Sequence, residues 1–374
     1  MPQTPLTRCI PPAALLLLLW PLAVRGQPVP QDAPPPAPVP VEQPGEQPAP
    51  PPPVGDGTAP VKPPPADAEF SPWGPSLLMN PVFGHALYHA GYRVSWFPDE
   101  PVAGQPTNLG YVQQDLSVGF PLWQDCTNEW TGSVNVRGEL FNTGAILPDT
   151  RQPFPEDLWN IRFGTTYRHL FDNGWIAGGT VTVGSASDKP FHSINEMTAG
   201  VNAFWVLPQG GHNAWLFTLT YSPTSELAFP LPGVAYIWQP SDRFRMNIGL
   251  PFQVWYRPTD ELTLDFSYML LRTVHARASY HLGRPFVVYA GYDWENESYF
   301  LADRLDERDR FFYYNQRLSA GVRAILNKHL SLDLSGGYVF DRFYFEGRSF
   351  SDSHHNRVDI GDGPFLSFQI QSRW

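Results

Sequence analysis

The sequence predicts an all-β fold: a closed antiparallel transmembrane up-and-down β-barrel of about 14–16 strands, best counted as about 16, with short turns at one end and longer loops at the other. Three observations predict it. Apolar and polar residues alternate with a period of two through most of the chain from Tyr88 onward. The connections between alternating segments are long and short by turns. The chain also stops on a strand with one apolar face, Leu366, Phe368, Ile370 and Trp374, set against Ser367, Gln369, Gln371 and Arg373.

Taken in order, residues 1–26 read as a secretory signal peptide: Arg8 supplies a positive start, an apolar stretch runs from Ala13 to Trp20, and Val24 to Gly26 form a cleavage region before Gln27. The stretch is too short to cross a bilayer as a helix, and no later segment offers the roughly 18 apolar residues a helical span needs. Cys9 precedes the apolar run, which excludes a lipoprotein anchor. Residues 27–69 contain no aromatic residue and are dominated by proline, as at Pro34–Pro36 and Pro50–Pro53. Such a segment forms no core and is expected to be a plain disordered periplasmic linker, with a spacer or cell-wall contact as the alternative, reaching on the order of 100 Å if extended at about 3.1 Å per residue. Residues 70–85, with Trp73, Leu77, Leu78, Met79 and Phe83, read as a lead-in or plug segment, and 86–374 as the barrel. Loss of the signal peptide removes Arg8 and Arg25 and no acid, taking the formal charge from −11 to −13. That balance speaks against a nucleic-acid partner.

The period-two segments place strands near 86–97, 111–120, 130–141, 158–169, 174–184, 196–207, 214–222, 234–239, 243–249, 252–257, 261–270, 273–282, 285–294, 311–326, 329–341 and 364–374. The alternation is plainest in Leu262, Leu264, Phe266 and Tyr268 against Thr263, Asp265 and Ser267, and in Val274, Ala276, Ala278 and Tyr280 against His275, Arg277 and Ser279. Long connections such as 98–110, 142–157, 185–195, 295–310 and 342–363 follow odd strands; short ones such as 171–173, 240–242, 283–284 and 327–328 follow even strands. Leu250-Pro251 and Leu271-Arg272 break that rule. Transmembrane barrels segregate their loops in this way, whereas a soluble sandwich has no reason to. Trp130, Trp159, Trp175, Trp205, Trp215 and Trp374 fall near strand ends, where an interfacial girdle places indoles.

If the barrel closes, the polar parity faces a lumen lined by Arg137, Glu139, Arg162, Arg168, Glu196, Asn202, Asp265, Arg277, Arg317, Arg323 and Asp333. Mixed charges keep a channel wet and give a weak ion preference; the same residues could equally pair across strands and fill the interior. His354-His355 with Asp359 and Asp362 match no specific metal spacing and read as loop residues. No Gly-x-Ser-x-Gly elbow, His-Glu-x-x-His or phosphate-binding glycine loop occurs, so no catalytic, cofactor or metal site is assigned.

The final strand resembles the closing strand of bacterial outer-membrane barrels. In those proteins a terminal aromatic with apolar residues at alternate positions is read by the assembly machinery; here Phe368, Ile370 and Trp374 fit, and Ser372 departs. The runs Gly91–Pro98, Trp159–Tyr167 and Ser335–Glu346 resemble a family of planctomycete-type secreted proteins with an outer-membrane barrel over Phe70 to Trp374, to which no activity attaches. The resemblance implies an outer-membrane location, the bilayer and the assembly machinery as partners, and no catalytic residues. The expected function is a porin-like channel for passive diffusion of small polar solutes. The alternative is a closed or plugged barrel with a structural or binding role; a lipid hydrolase comes third.

Overall fold

The computed structural model describes residues 83–210, 212–223, 229–269 and 273–374. The signal-peptide and Pro-rich segments, and 70–82 of the lead-in, lie outside the described residues. The strands are β1 (His89–Pro101), β2 (Asn108–Gln124), β3 (Asn128–Thr143), β4 (Asp157–Leu170), β5 (Ile176–Ser187), β6 (Met197–Pro208), β7 (Ala214–Tyr221), β8 (Leu231–Ser241), β9 (Phe244–Gly249), β10 (Phe252–Tyr256), β11 (Leu262–Met269), β12 (Thr273–Gly283), β13 (Phe286–Tyr299), β14 (Arg310–Ile325), β15 (Leu330–Gly347), β16 (Val358–Ile360) and β17 (Gly363–Arg373). Each pairs antiparallel with its sequence neighbour from β1 to β15. β17 then pairs with both β15 and β1, and that closes the sheet on itself. The three-residue β16 forms its strand ladder with β15 and a single bridge to Val102 beyond β1, so sixteen of the seventeen strands make the wall. Among the described residues no helix is long and apolar enough to cross a membrane; this barrel spans with strands.

Closure explains how a polar chain suits a bilayer. Each of the sixteen wall strands pairs on both sides, so the wall presents no open edge to hydrocarbon. Alternation then sorts the side chains. Val181, Val183, Phe217, Leu264, Phe266, Leu318, Val322, Leu334, Leu366, Phe368 and Ile370 stand exposed on the outer face. At the short-turn end Trp123, Trp130, Tyr167, Trp175, Trp205, Trp215, Trp238, Tyr256 and Trp374 form an exposed aromatic ring, and Trp374 stacks on Tyr88 with ring centroids 6.2 Å apart. An indole has an apolar body and a hydrogen-bonding edge, which suits it to the hydrocarbon boundary. Trp159, the sixth of the predicted girdle tryptophans, lies at the opposite end of the wall near the start of β4 and is half-buried.

Several strands run past the expected ends, among them β1 to Pro101 and β2 to Gln124, and the two longest extensions bear on the interior. β13 continues to Tyr299 and β15 to Gly347, where loops were expected from 295 and 342. In β15 a bulge at Asp341, whose φ is 48°, sets two residues opposite Asn315 of β14. The left-handed region is one that aspartate tolerates, and the extra residue reverses the parity beyond it. Val339 points inward before the bulge; Arg342, Tyr344 and Glu346 point inward after it.

Candidate functional site within the barrel

The inward face is layered. Toward the long-loop end, Tyr111 of β2, Phe141 of β3, Tyr313 of β14 and Tyr344 of β15 meet around Phe154, which comes from the β3–β4 connection. The Tyr111 and Tyr313 hydroxyls are hydrogen-bonded to each other. Tyr313 and Tyr344 stack at 4.5 Å, and Tyr344 meets Phe154 edge-on at 5.1 Å. These strands belong to opposite walls. In a round barrel of sixteen strands about 4.8 Å apart and tilted near 40°, the diameter is about 32 Å. β3 and β13, six strands apart through β1 and β17, would then stand about 29 Å apart. Yet Arg137 of β3 forms an ion pair with Glu297 of β13. An arginine and a glutamate together bridge roughly 15 Å at full extension. The wall is therefore flattened, with β2 and β3 drawn against β13, β14 and β15.

Below the aromatic layer runs a charge network. Arg137 donates Nε–H to Asp115 Oδ1 at 2.5 Å and lies 3.8 Å from Glu295. Arg317 reaches the same Glu295 at 3.1 Å, donates to Asn315 at 2.7 Å and to Gln113 of the facing wall at 3.4 Å, and packs over the Phe97 ring. Glu139 is fully buried, and Tyr344 donates to it at 3.4 Å. Along the wall the network continues as His275 with Asp293 at 2.5 Å and with Asp265 at 3.9 Å. Arg323 and Asp333 pair at 3.1 Å, with the Tyr289 hydroxyl donating to Asp333 at 2.6 Å and Arg277 stacked on the Tyr289 ring. A buried charge costs several kcal/mol unless opposed, so these pairings are what allow ionised groups inside the wall.

At the short-turn end Phe83 occupies the interior. It is buried among Leu170, Ile176, Phe204, Val206, Leu216, Ala235 and Ile237. Arg168 covers its ring at 4.3 Å while making a two-pronged ion pair to Glu129, at 3.0 and 2.9 Å. Gly84 follows with φ 74°, a turn that a side chain would strain. The Ala86 amide then donates to the Gln124 side chain at 2.9 Å.

Of the sequence-predicted lumen residues, Arg137, Glu139 and Arg317 come together across the barrel. Asp265, Arg277, Arg323 and Asp333 share the β11–β15 wall, and Arg168 belongs to the floor. Arg162 and Asn202 stand apart on β4 and β6; Arg162 is exposed, and Asn202 donates to Thr220 at 2.6 Å. Glu196 lies outside the barrel wall, in a single 3-10 turn before β6. Burial works against its ionisation, but the Ser193 hydrogen bonds and Arg304, 3.5 Å away, hold the carboxyl below the ordinary glutamate range. Phe368, Ile370 and Trp374 are exposed on the outer face. Sequence reading missed Asp115, Asp293, Glu295 and Glu297. Glu295 and Glu297 continue the alternation of Asp293, and ending the strand at 294 hid those two.

Residues 128–373 match the family described as Domain of unknown function (DUF6268). The chain belongs to that family. No curated protein matches this DUF6268 barrel. Among solved structures it is similar to an outer-membrane channel from Pseudomonas putida F1, with 8% identity over 77% of this chain and 96% of that one and a TM-score of 0.35. It is also similar to a FadL homologue from Pseudomonas aeruginosa, at 11% identity, 77% and 90% coverage and a TM-score of 0.34. Salmonella typhi OmpF gives 10% identity, 77% and 97% coverage and a TM-score of 0.30. Likeness at this level says nothing of activity. The fold of the DUF6268 barrel rests on its own strand pairing.

Proposed function

We propose that the protein is an outer-membrane channel for small polar solutes, with a narrowed path and a closed outer half, its short turns facing the periplasm. The observation that carries the reading is the lining. Polar and charged side chains face inward on most strands of the wall, while the outer face keeps an apolar belt. A wide-bore pore is not supported, because the tyrosine layer and the Arg137–Glu297 pair join opposite walls. That layer favours a second reading, a closed barrel with a structural or binding role. No catalytic role is proposed.

Planar-bilayer recording of the chain from Gln27 onward separates the two. The channel reading expects small, infrequent current steps from the wild type and larger, longer steps from Tyr111→Ala/Tyr313→Ala. Silence from both proteins, with insertion shown independently, would leave the closed barrel.

A further inference from the structure

The wall of the barrel is not equally tall all round. β14 and β15 have 16 and 18 residues, whereas β9 and β10 have 6 and 5. At about 3.4 Å per residue and a tilt near 40°, β14 rises about 39 Å along the barrel axis, but the five steps of β9 rise only about 13 Å. The base of this hairpin is fixed by the aromatic ring: Phe244 packs on Trp238 at 5.4 Å and on Tyr256 at 5.8 Å. An apolar band about 25 Å tall begins at that level. The tip, Leu250-Pro251, therefore reaches only about half its height. On the long-loop side the β3–β4, β5–β6, β13–β14 and β15–β17 connections carry charged residues, and the β1–β2 connection is preceded directly by Asp99 and Glu100 at the end of β1. From Met246 to Tyr256 the β9–β10 hairpin carries none.

The tip is also built for a place without water. The Leu250 amide donates to the Val234 carbonyl at 3.0 Å, and Pro251 has no amide hydrogen to satisfy. Gly249, at φ 139°, lets the chain close onto β8: a Cβ there would stand 2.0 Å from the Val234 oxygen. Ile248 and Leu250 remain exposed on the outside, in line with the belt.

We infer that the β9–β10 hairpin ends inside the hydrocarbon, and that acyl chains of the outer leaflet fold over its tip into a locally thinned bilayer. The partner of this surface is lipid, because the shortfall in height continues the lipid-facing belt itself. A bilayer yields to a short wall by thinning at modest cost. The inference rests on the barrel spanning a bilayer, and labelling of Leu334 and Phe368 tests that separately.

The experiment places the wild-type protein in phosphatidylcholine vesicles with C18 chains, one lipid carrying a photoactivated carbene precursor near the chain end. Adducts are mapped by mass spectrometry. Label on Ile248, Leu250 or Phe252 together with Leu334 and Phe368 is the expected result. Label on Leu334 and Phe368 with a bare tip that a water-soluble carbene reagent modifies would overturn it. A tip protected from both reagents, with a cross-linked dimer, would overturn it in favour of a second copy. As a second measurement, Leu250→Arg should lower the folded fraction at the urea midpoint at least tenfold in C18 vesicles and markedly less in C12 vesicles; an equal effect in both would refute thinning.

Discussion

Leu334 is the most informative place to put a charge. It is 55% exposed on the outer face of β15 and pairs with Val322 on one side and Phe368 on the other. Phe368 stands six residues before Trp374, about 20 Å along the strand and about 15 Å along the axis at a tilt near 40°. With Trp374 marking the inner boundary, Leu334 lies close to the middle of a band about 25 Å tall, where a lipid-facing arginine costs about 2–4 kcal/mol. Thr182 is the control. It is on the inner face of β5 at mid-strand, and its cross-strand partners are Gly164 and Gly200, which leave room for a long side chain. Leu334→Arg should therefore lower unfolding free energy in vesicles by about 2–4 kcal/mol, and Thr182→Arg by less than about 1 kcal/mol. Urea titration followed by tryptophan emission and by gel mobility of the folded band reads both. Equal losses at the two positions would refute the assignment of faces, and with it the membrane-spanning reading.

Other consequences follow from the same contacts. Glu129→Ala leaves the buried Arg168 guanidinium without its two-pronged partner and should cost about 3–5 kcal/mol, measured by the same titration. Phe83→Ala should cost about 3 kcal/mol through the emptied site and increase current through the inner end; unchanged current would remove Phe83 from the path. The Glu196 carboxyl has a folded value below its ordinary 4.5. Its stabilisation of the loop with Arg304 is thus complete above 4.5 and is lost as pH falls through the lower folded value. The protection of amides at 193–197 relative to their intrinsic exchange rates should be constant above about pH 5 and fall only in more acid solution. Added protease on intact cells should cut at Arg304–Arg310 in the long β13–β14 connection; cleavage confined to the proline-rich segment would reverse the topology.

Most of the wall was legible in the sequence because a half-buried strand writes its two faces directly as alternating residues. Leu262 to Tyr268 and Val274 to Tyr280 needed no further context. What the alternation could not show was depth inside the barrel. It marked Arg137 and Arg317 as inward, but nothing local to either residue says that their walls approach. That approach depends on flattening, a property of the closed sheet as a whole. The bulge at Asp341 was hidden for a related reason: one extra residue reverses all later parity, and an aspartate among aromatics gives no warning of it. Glu196 was misplaced because its alternating neighbours continue the β6 pattern backwards by one residue, although Ser193 and Glu196 together carry the spacing of a helix-capping pair.

The floor residue has a consequence of a different kind. Phe83 is joined to the barrel through Gly84–Tyr88, so the aromatic group in the apolar floor is a ligand that can leave its site without ever leaving the molecule. Its local concentration is fixed by a tether of a few residues, on the order of millimolar or more. A free aromatic solute would have to reach a comparable concentration to compete for that seat. Dilution, washing and dialysis, which strip ordinary ligands from a channel, would leave this one in place.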